Sequence, residues 1–550
     1  MKLRSALLGG SVVALAAAGA AAIHTGGRAV AAPAVPGAPT LDCAALAQTA
    51  LPNARVTSAQ TMPAGSFTPP GAGPGPAPRP VATAFCRVAV TLTPSADSDI
   101  KAEVWLPQAW NGKFMEVGNG GWSGSITYAA LADALARGYA SASTDTGHEG
   151  TRGTFAFQHP EKLIDFAYRA VHETALKGKA LTAAYYGAAP RFSYWNGCSS
   201  GGKQGLKEVQ QYPGDFDGVV AGAPANNWMR LQTQSLVANI ANLPKGAAAA
   251  ILGPTQFAIL NKGVLDQCDA KDGLADRQVQ DPRTCAFKAA SLVCKPGQSA
   301  AECLTPAQAE AADKIYAPVK NPRTGALIYP GMPPGSEMTW GPVISRPWDT
   351  GADTYKVLFN KPDWDFYTLD LAKDVDAAEK ADPGIMATTP DLSAFKARGG
   401  KIIQYHGWAD PFIPTENSIN YYESVVARQG GLPQTQDFHR LFLVPGMGHC
   451  AGAYTVDWVA ALERWVEGGV APDLVMAKRI PPAGFVPPPV TALVQAPAFG
   501  ERPMCAYPAV AHYKGTASGE EPLNWVCQAG DRGARPDHGP GRLGAMIASK

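Results

Sequence analysis

One stretch constrains this chain more than any other: Trp195-Asn196-Gly197-Cys198-Ser199-Ser200-Gly201-Gly202. Residues 197–201 read G-x-S-x-G. Before them, Arg191 to Trp195 is short and aromatic, as a strand can be. After them, Lys203 to Gln211 can form a helix. A sharp strand-to-helix turn lifts a Ser hydroxyl to the top of a sheet, the arrangement of a nucleophile elbow. Glycines on both sides permit a strained backbone and close neighbours. The helix N-terminus behind the Ser favours negative charge beside it. Taken alone, the pattern also fits a Gly-Ser surface turn.

The surrounding pattern supports the elbow. Alternation over Phe85 to Leu92 and Lys101 to Leu106 predicts antiparallel strands, and Phe114 to Val117 and Tyr139 to Thr144 predict two more. A long helix is expected from Pro160 to Gly187, and a buried strand at Gly218 to Gly222. This β-α-β alternation implies a mostly parallel sheet covered on both faces, an α/β fold. The texture changes at residue 226. Residues 226–388 are irregular, rich in Pro and clustered aromatics, and regular alternation resumes at Lys401 to Tyr405. The chain therefore divides into a core over 33–225, an inserted lid over 226–388 and the rest of the core over 389–550. The lid is expected over the carboxyl end of the sheet. Residues 33–80, rich in Pro, Ala and Gly, read as extended loops, and 480–550 as a Pro-rich tail.

Residues 1–32 have the form of a secretory signal peptide. Lys2 and Arg4 precede an apolar, Ala-rich run from Ala6 to Ile23, with cleavage after Ala22 or near Ala31 and Ala32. The run is short for a membrane span. The expectation is a secreted or periplasmic protein with no membrane association after cleavage. Charged residues make up 17% and the net charge is +1, a balance that does not favour nucleic-acid binding. Ten Cys in an exported chain favour disulfides. Local pairs suggest themselves at Cys43–Cys86, Cys268–Cys285, Cys294–Cys303 and Cys505–Cys527. Cys198 and Cys450 are then left for each other, although sequence alone leaves the connectivity open.

A Ser hydroxyl needs a base, and the base a carboxylate to orient it. Asp410 follows the strand 401–405, and His449 follows the strand Phe438 to Val444. The order Ser199, Asp410, His449 is that of the α/β-hydrolases. His406 is the rival base, but it precedes the acid. His148 reads as a structural loop residue. The run Gly118-Asn119-Gly120-Gly121 after a strand can present backbone N–H groups to an oxyanion.

Gly-Cys-Ser-Ser-Gly-Gly, His-Gly-Trp-Ala-Asp and Gly-Met-Gly-His-Cys together resemble the tannase and feruloyl esterase family, over nearly the whole chain from Cys43 to Cys527. A hallmark of that family is a pair of Cys residues joining the Ser and His loops, and all five Cys pairs match. The resemblance implies an α/β-hydrolase fold with a large inserted lid domain. It also implies an oxyanion hole from the N–H groups of Ser200 and Gly121. It further bears on Cys268-Asp269-Ala270-Lys271-Asp272-Gly273-Leu274-Ala275-Asp276. Three carboxylates at that spacing suit a hard cation but read more readily as a solvated acidic loop. The resemblance implies a structural Ca2+ held by Asp269, Asp272 and Asp276 with the carbonyls of Leu274 and Gln278. Arg277 stands where the family often has Gly.

The expected activity is ester hydrolysis on small aromatic-acid esters, feruloyl esterase-like. Galloyl esters or mono(2-hydroxyethyl) terephthalate are the alternatives within the class. A silent binding protein on a hydrolase scaffold is the alternative outside it. Trp340 is the first choice for a substrate-binding residue, among lid aromatics that include Trp348, Phe359, Trp364 and Phe366. Arg346 is the cation available for a substrate carboxylate.

Overall fold

The computed structural model describes residues 37–70, 79–479, 500–515, 519 and 521–530. The expected signal peptide lies outside them. Contacts join the described residues from 37 to 530 into one unit.

Among the described residues, nine strands form the main sheet. Seven come early: β1 (Ala54–Met62), β2 (Phe85–Leu92), β3 (Ile100–Pro107), β4 (Lys113–Val117), β5 (Ala140–Thr144), β6 (Phe192–Cys198) and β7 (Gly218–Gly222). A small hairpin, β8 (Val319–Lys320) and β9 (Leu327–Tyr329), lies in the 226–388 segment. The main sheet resumes with β10 (Lys401–Gly407) and β11 (His439–Val444), in the order β1-β2-β3-β5-β4-β6-β7-β10-β11. Pairing is antiparallel from β1 to β5 and parallel from β5 to β11. The α/β-hydrolase fold expected from the sequence is the fold observed.

The parallel half is buried on both faces, so its strands read as continuous apolar runs. Every residue of β7 is buried, and so is every residue of β10 after Lys401. Phe114, Trp195, Val219 and Ile402 pack into one layer, with Val171 and Leu206 from the helices Ala170–Tyr186 and Ser200–Gln211. Met115, Tyr194, Val220 and Ile403 point the other way, against Leu462 and Trp465 of the helix Trp458–Gly468.

Register fixes where the functional loops emerge. Cys198 pairs with Gly222, Val117 with Asn196, Tyr405 with Gly222 and Gly407 with Val444. The carboxyl ends of β4, β6, β10 and β11 therefore share one edge. The loops holding Gly121, Ser199, Asp410 and His449 all leave from it.

Two expectations change. The stretch read as extended loops contains β1, a half-exposed edge strand. The single helix expected from Pro160 to Gly187 is three pieces: Pro160–Ile164, a wider π turn over Asp165–Arg169, then Ala170–Tyr186. Asp165 lies in that turn, fully buried, and its carboxylate accepts from Arg169 Nε (2.6 Å) and Ser98 Oγ (3.1 Å).

Candidate active site

The elbow is built by close approach. Ser199 has φ 64° and ψ −122°, a strained conformation of the kind that clusters at functional sites. Its N–H donates to Gly222 O at 3.0 Å. A Cβ on Gly197 would lie 2.7 Å from the Gly201 carbonyl carbon, and one on Gly202 would lie 2.2 Å from Gly222 O. Only glycine fits at either place.

Three side chains meet at this edge. His449 Nε2 is 2.9 Å from Ser199 Oγ, and His449 Nδ1 is 2.8 Å from Asp410 Oδ2. Nδ1 faces a carboxylate and so carries the proton, which leaves the Nε2 lone pair for the Ser hydroxyl. Asp410 is fully buried, and its Oδ1 accepts the N–H groups of Phe412 (2.9 Å) and Ile413 (3.0 Å). Burial would raise the Asp410 pKa. The charge of His449 and the hydrogen bonds from His406 and His449 outweigh it and hold the carboxyl well below its usual range. For His449, burial disfavours the imidazolium, but the charge and hydrogen bond of Asp410 raise its pKa above the ordinary value.

His406 takes a supporting place. It is fully buried, and its Nε2 donates to Ile413 O at 2.8 Å, with Asp410 Oδ2 at 3.2 Å. Its Nδ1 accepts from Ser418 Oγ at 2.7 Å. It steadies the loop carrying Asp410 rather than facing Ser199. His148, also buried, bonds Trp122 O at 2.8 Å and stacks on Phe155 with centroids 3.7 Å apart. It braces the loop that follows Gly121.

Gly121 lies at φ 52°, and its carbonyl accepts from Ser200 Oγ at 2.9 Å. That bond fixes the Gly loop against the elbow. Ser200 opens its helix, so its N–H belongs to the first turn, which has no intrahelical acceptor. Trp122 Nε1 donates to Thr350 O at 3.2 Å, and Arg152 makes a bidentate pair with buried Asp353 at 2.7 and 2.8 Å. The first contact docks the 226–388 segment onto the Gly loop and the second onto the loop after β5.

Cys198 and Cys450 are bonded, with Cα atoms 5.9 Å apart, and the other four pairs form as the local spacing suggested. The Cys198–Cys450 bond joins the neighbour of Ser199 to the neighbour of His449 across 252 residues. Chain-entropy reasoning gives such a loop about 5 kcal/mol of stabilisation. It also limits how far Ser199 and His449 can part. Changing both cysteines to Ala is expected to lower kcat by about 10-fold or more, with a lower melting temperature. Full kcat in the folded double variant would remove the tether's role.

A cavity of about 810 Å³ opens over Ser199, Ser200, Gly121 and His449. Trp228, Leu231, Trp348, Phe412 and Ile413 give it apolar walls, and Gln232, Ser235 and Thr127 add polar groups. Phe412 also stacks on His449, with centroids 5.1 Å apart. Among the described residues, Asp133 lines it and no Lys or Arg does.

One expectation for the pocket is corrected. Trp340 is fully buried, packs edge-on against Phe257 and Tyr316, and donates from Nε1 to Ser336 Oγ at 2.8 Å. It is core of the inserted segment, not cavity wall. Arg346 is exposed, does not line the cavity, and contributes a backbone carbonyl to Asn239 Nδ2 at 2.6 Å. Of the lid aromatics named from the sequence, Trp348 lines the cavity. Trp228 and Phe412 went unnoticed in the sequence, although Phe412 stands two residues after Asp410.

The acidic loop closes on itself. Asp269 accepts the N–H groups of Asp276 (3.1 Å), Arg277 (2.9 Å) and Gln278 (3.2 Å), and Asp272 accepts that of Leu274 (3.0 Å). Arg277 lies at φ 64°, the left-handed conformation that Gly adopts freely. Asp276 is 2% exposed, and its Oδ1 has no hydrogen-bond partner among the described residues. Burial raises both Asp272 and Asp276, the latter to about 6, against the pull of Arg502 and Arg479 at 3.5–3.6 Å. An all-oxygen donor set with one orphaned carboxylate oxygen fits a hard cation.

Sheet order and site geometry define an α/β-hydrolase. A family model for tannase and feruloyl esterase matches residues 86–528. An uncharacterized esterase of Xanthomonas campestris pv. campestris is 37% identical, covering 91% of this chain and 93% of its own. A "Probable feruloyl esterase B-2" of Aspergillus oryzae is 36% identical over 87% of this chain and 93% of its own. The crystal structure of feruloyl esterase B from Aspergillus oryzae matches with a TM-score of 0.80 at 33% identity, covering 88% of this chain and 100% of that one. This chain belongs to the tannase and feruloyl esterase family and is a carboxylic ester hydrolase.

Proposed function

We propose that this chain is an exported serine esterase that cleaves esters of aromatic acids, feruloyl esters first, through an acyl-enzyme. The observation that carries the reading is the hydrogen-bonded chain Ser199, His449, Asp410 opening into an aromatic cavity. His449 takes the Ser199 proton as the hydroxyl attacks the ester carbonyl. Negative charge grows on the carbonyl oxygen, and the N–H groups of Ser200 and Gly121 receive it. His449 then gives its proton to the departing alcohol. Water, activated by the same imidazole, releases the acid. Asp410 keeps the tautomer and stabilises the imidazolium. Trp228, Trp348 and Phe412 offer faces for an aryl acid. The five disulfides favour an oxidising compartment outside the cytoplasm.

The cavity's charge separates the substrate branches. A substrate with a free carboxylate wants a guanidinium or ammonium; here Asp133 lines the wall and, among the described residues, no Lys or Arg does. Methyl ferulate and methyl gallate should therefore exceed mono(2-hydroxyethyl) terephthalate in kcat/KM by about 10-fold or more, the worth of one charge-assisted hydrogen bond. Fastest turnover of the terephthalate monoester would overturn this reading. No turnover of any of the three would favour a silent binding scaffold.

Asp269, Asp272 and Asp276, with the Leu274 and Gln278 carbonyls, would hold the calcium. Bound there, the ion supplies charge balance and stability. Removing calcium with EDTA is expected to lower the melting temperature, since a ligand at 100 times its Kd contributes about 2.7 kcal/mol. The rate on methyl ferulate well below that temperature should hardly change. A melting temperature indifferent to EDTA would contradict a bound cation.

A further inference from the structure

A second cluster lies outside the site. Glu116 is on β4, two residues before the Gly loop. His172 is on the helix Ala170–Tyr186, Glu208 on the helix that opens at Ser200, and Asp215 in the turn before β7. One ligand atom each from His172, Glu208 and Asp215 lies within 4.8 Å of the other two. His172 Nδ1 is 2.6 Å from Asp215 Oδ2, and the ring stacks on Tyr212 with centroids 3.7 Å apart. Glu116 and Glu208 are 0% and 1% exposed. None of their carboxylate oxygens has a hydrogen-bond partner among the described residues.

Lys179 and His172 are the basic groups paired with Asp215. Lys179 Nζ donates to the Asp215 carbonyl at 2.7 Å and lies 3.9 Å from its carboxylate. Burial pushes the Glu116 and Glu208 carboxyls well above the ordinary carboxylate range, and Asp215 beside them pushes the same way. Buried carboxyl oxygens without a donor are costly, and a native fold rarely leaves them so. We propose that His172, Glu208 and Asp215 bind a divalent transition-metal cation of the zinc type, at a site separate from the acidic loop 269–278.

The donor set argues for that class. One imidazole nitrogen with two carboxylate oxygens suits zinc or its first-row neighbours, whereas calcium takes oxygen alone. Three protein ligands leave room for a water. The His172 side chain is 22% exposed, which gives an ion a way in from solvent. To ligate, the imidazole must present a lone pair and both carboxylates must be ionised, so binding releases protons from the cluster to solvent. The ion would join the helix carrying Glu208, which begins at the elbow, to the helix carrying His172.

The test uses the full chain, stripped of metal and then kept in excess calcium so that the acidic loop is occupied. Zinc chloride is titrated calorimetrically in two buffers of different ionisation heat. One saturable equivalent with proton release is expected. It should weaken by about 100-fold in His172→Ala and in Glu208→Gln, and stay unchanged in Asp276→Asn. Zinc-edge anomalous diffraction from wild-type crystals should place the peak among the three side chains, and it decides the matter if either variant fails to fold. No saturable equivalent in the wild type, undiminished affinity in folded His172→Ala, or an anomalous peak elsewhere would each overturn the proposal.

Discussion

Ser199→Ala is expected to lower kcat on methyl ferulate by about 10⁴- to 10⁶-fold. The hydroxyl is the only part of the elbow that reacts, and its removal leaves the rest standing. The backbone at φ 64° is held by the N–H of Ser199 on Gly222 O, by the contacts of Gly197 and Gly202, and by the Cys198–Cys450 bond. None of these involves Oγ. Stability should therefore change by less than about 1 kcal/mol. Melting curves beside rates separate loss of chemistry from loss of fold. A folded Ser199→Ala protein that still turns over the ester would remove Ser199 from the reaction.

Asp410→Asn carries the second large effect, a loss of about 10⁴-fold in kcat. An Asn there can still accept the Phe412 and Ile413 N–H groups. Its second terminal atom, turned to His449 Nδ1, becomes an amide N–H. That donor favours the tautomer with the proton on Nε2, where it cannot act as base toward Ser199. The pH profile should move as well. His449 must be neutral to accept the proton, so kcat/KM rises as pH rises through its pKa. With Asp410 in place that pKa lies above the ordinary 6.5. Without the carboxylate, burial is the cause that remains, and it lowers the pKa. The acid limb of the profile should shift to lower pH in the variant. A limb that stays put would mean another group sets it.

Much of this was legible because the chemistry sits where periodicity is strongest. β2, β4, β6, β7, β10 and β11 are short apolar runs closed by Gly or Pro signals. Ser199, Asp410 and His449 follow three of them directly. The cysteine arithmetic worked because four pairs are local in sequence, which leaves Cys198 and Cys450 for each other. β1 was missed because an edge strand with one exposed face carries few apolar residues. The π turn at Asp165–Arg169 was invisible because its cause is tertiary: Asp165 is buried under Ser98 and Arg169. Trp340 was misplaced for the opposite reason. An aromatic residue in an irregular segment looks alike from sequence whether it faces a cavity or a core. Burial against Phe257 and Tyr316 decides it. Glu116 and Glu208 gave no signal, since a lone Glu on a strand or helix reads as surface.

The account rests on one bond forming, between Ser199 Oγ and the acyl carbon of an aromatic ester. The direct measurement is acid-quenched mass spectrometry of the protein during turnover of methyl ferulate, with the modified peptide sequenced. The account predicts a transient adduct of feruloyl mass on Ser199, absent from Ser199→Ala and longer-lived where His449 is replaced after acylation is forced with an activated ester. An adduct on another residue, or steady turnover by a Ser199→Ala protein, would contradict it.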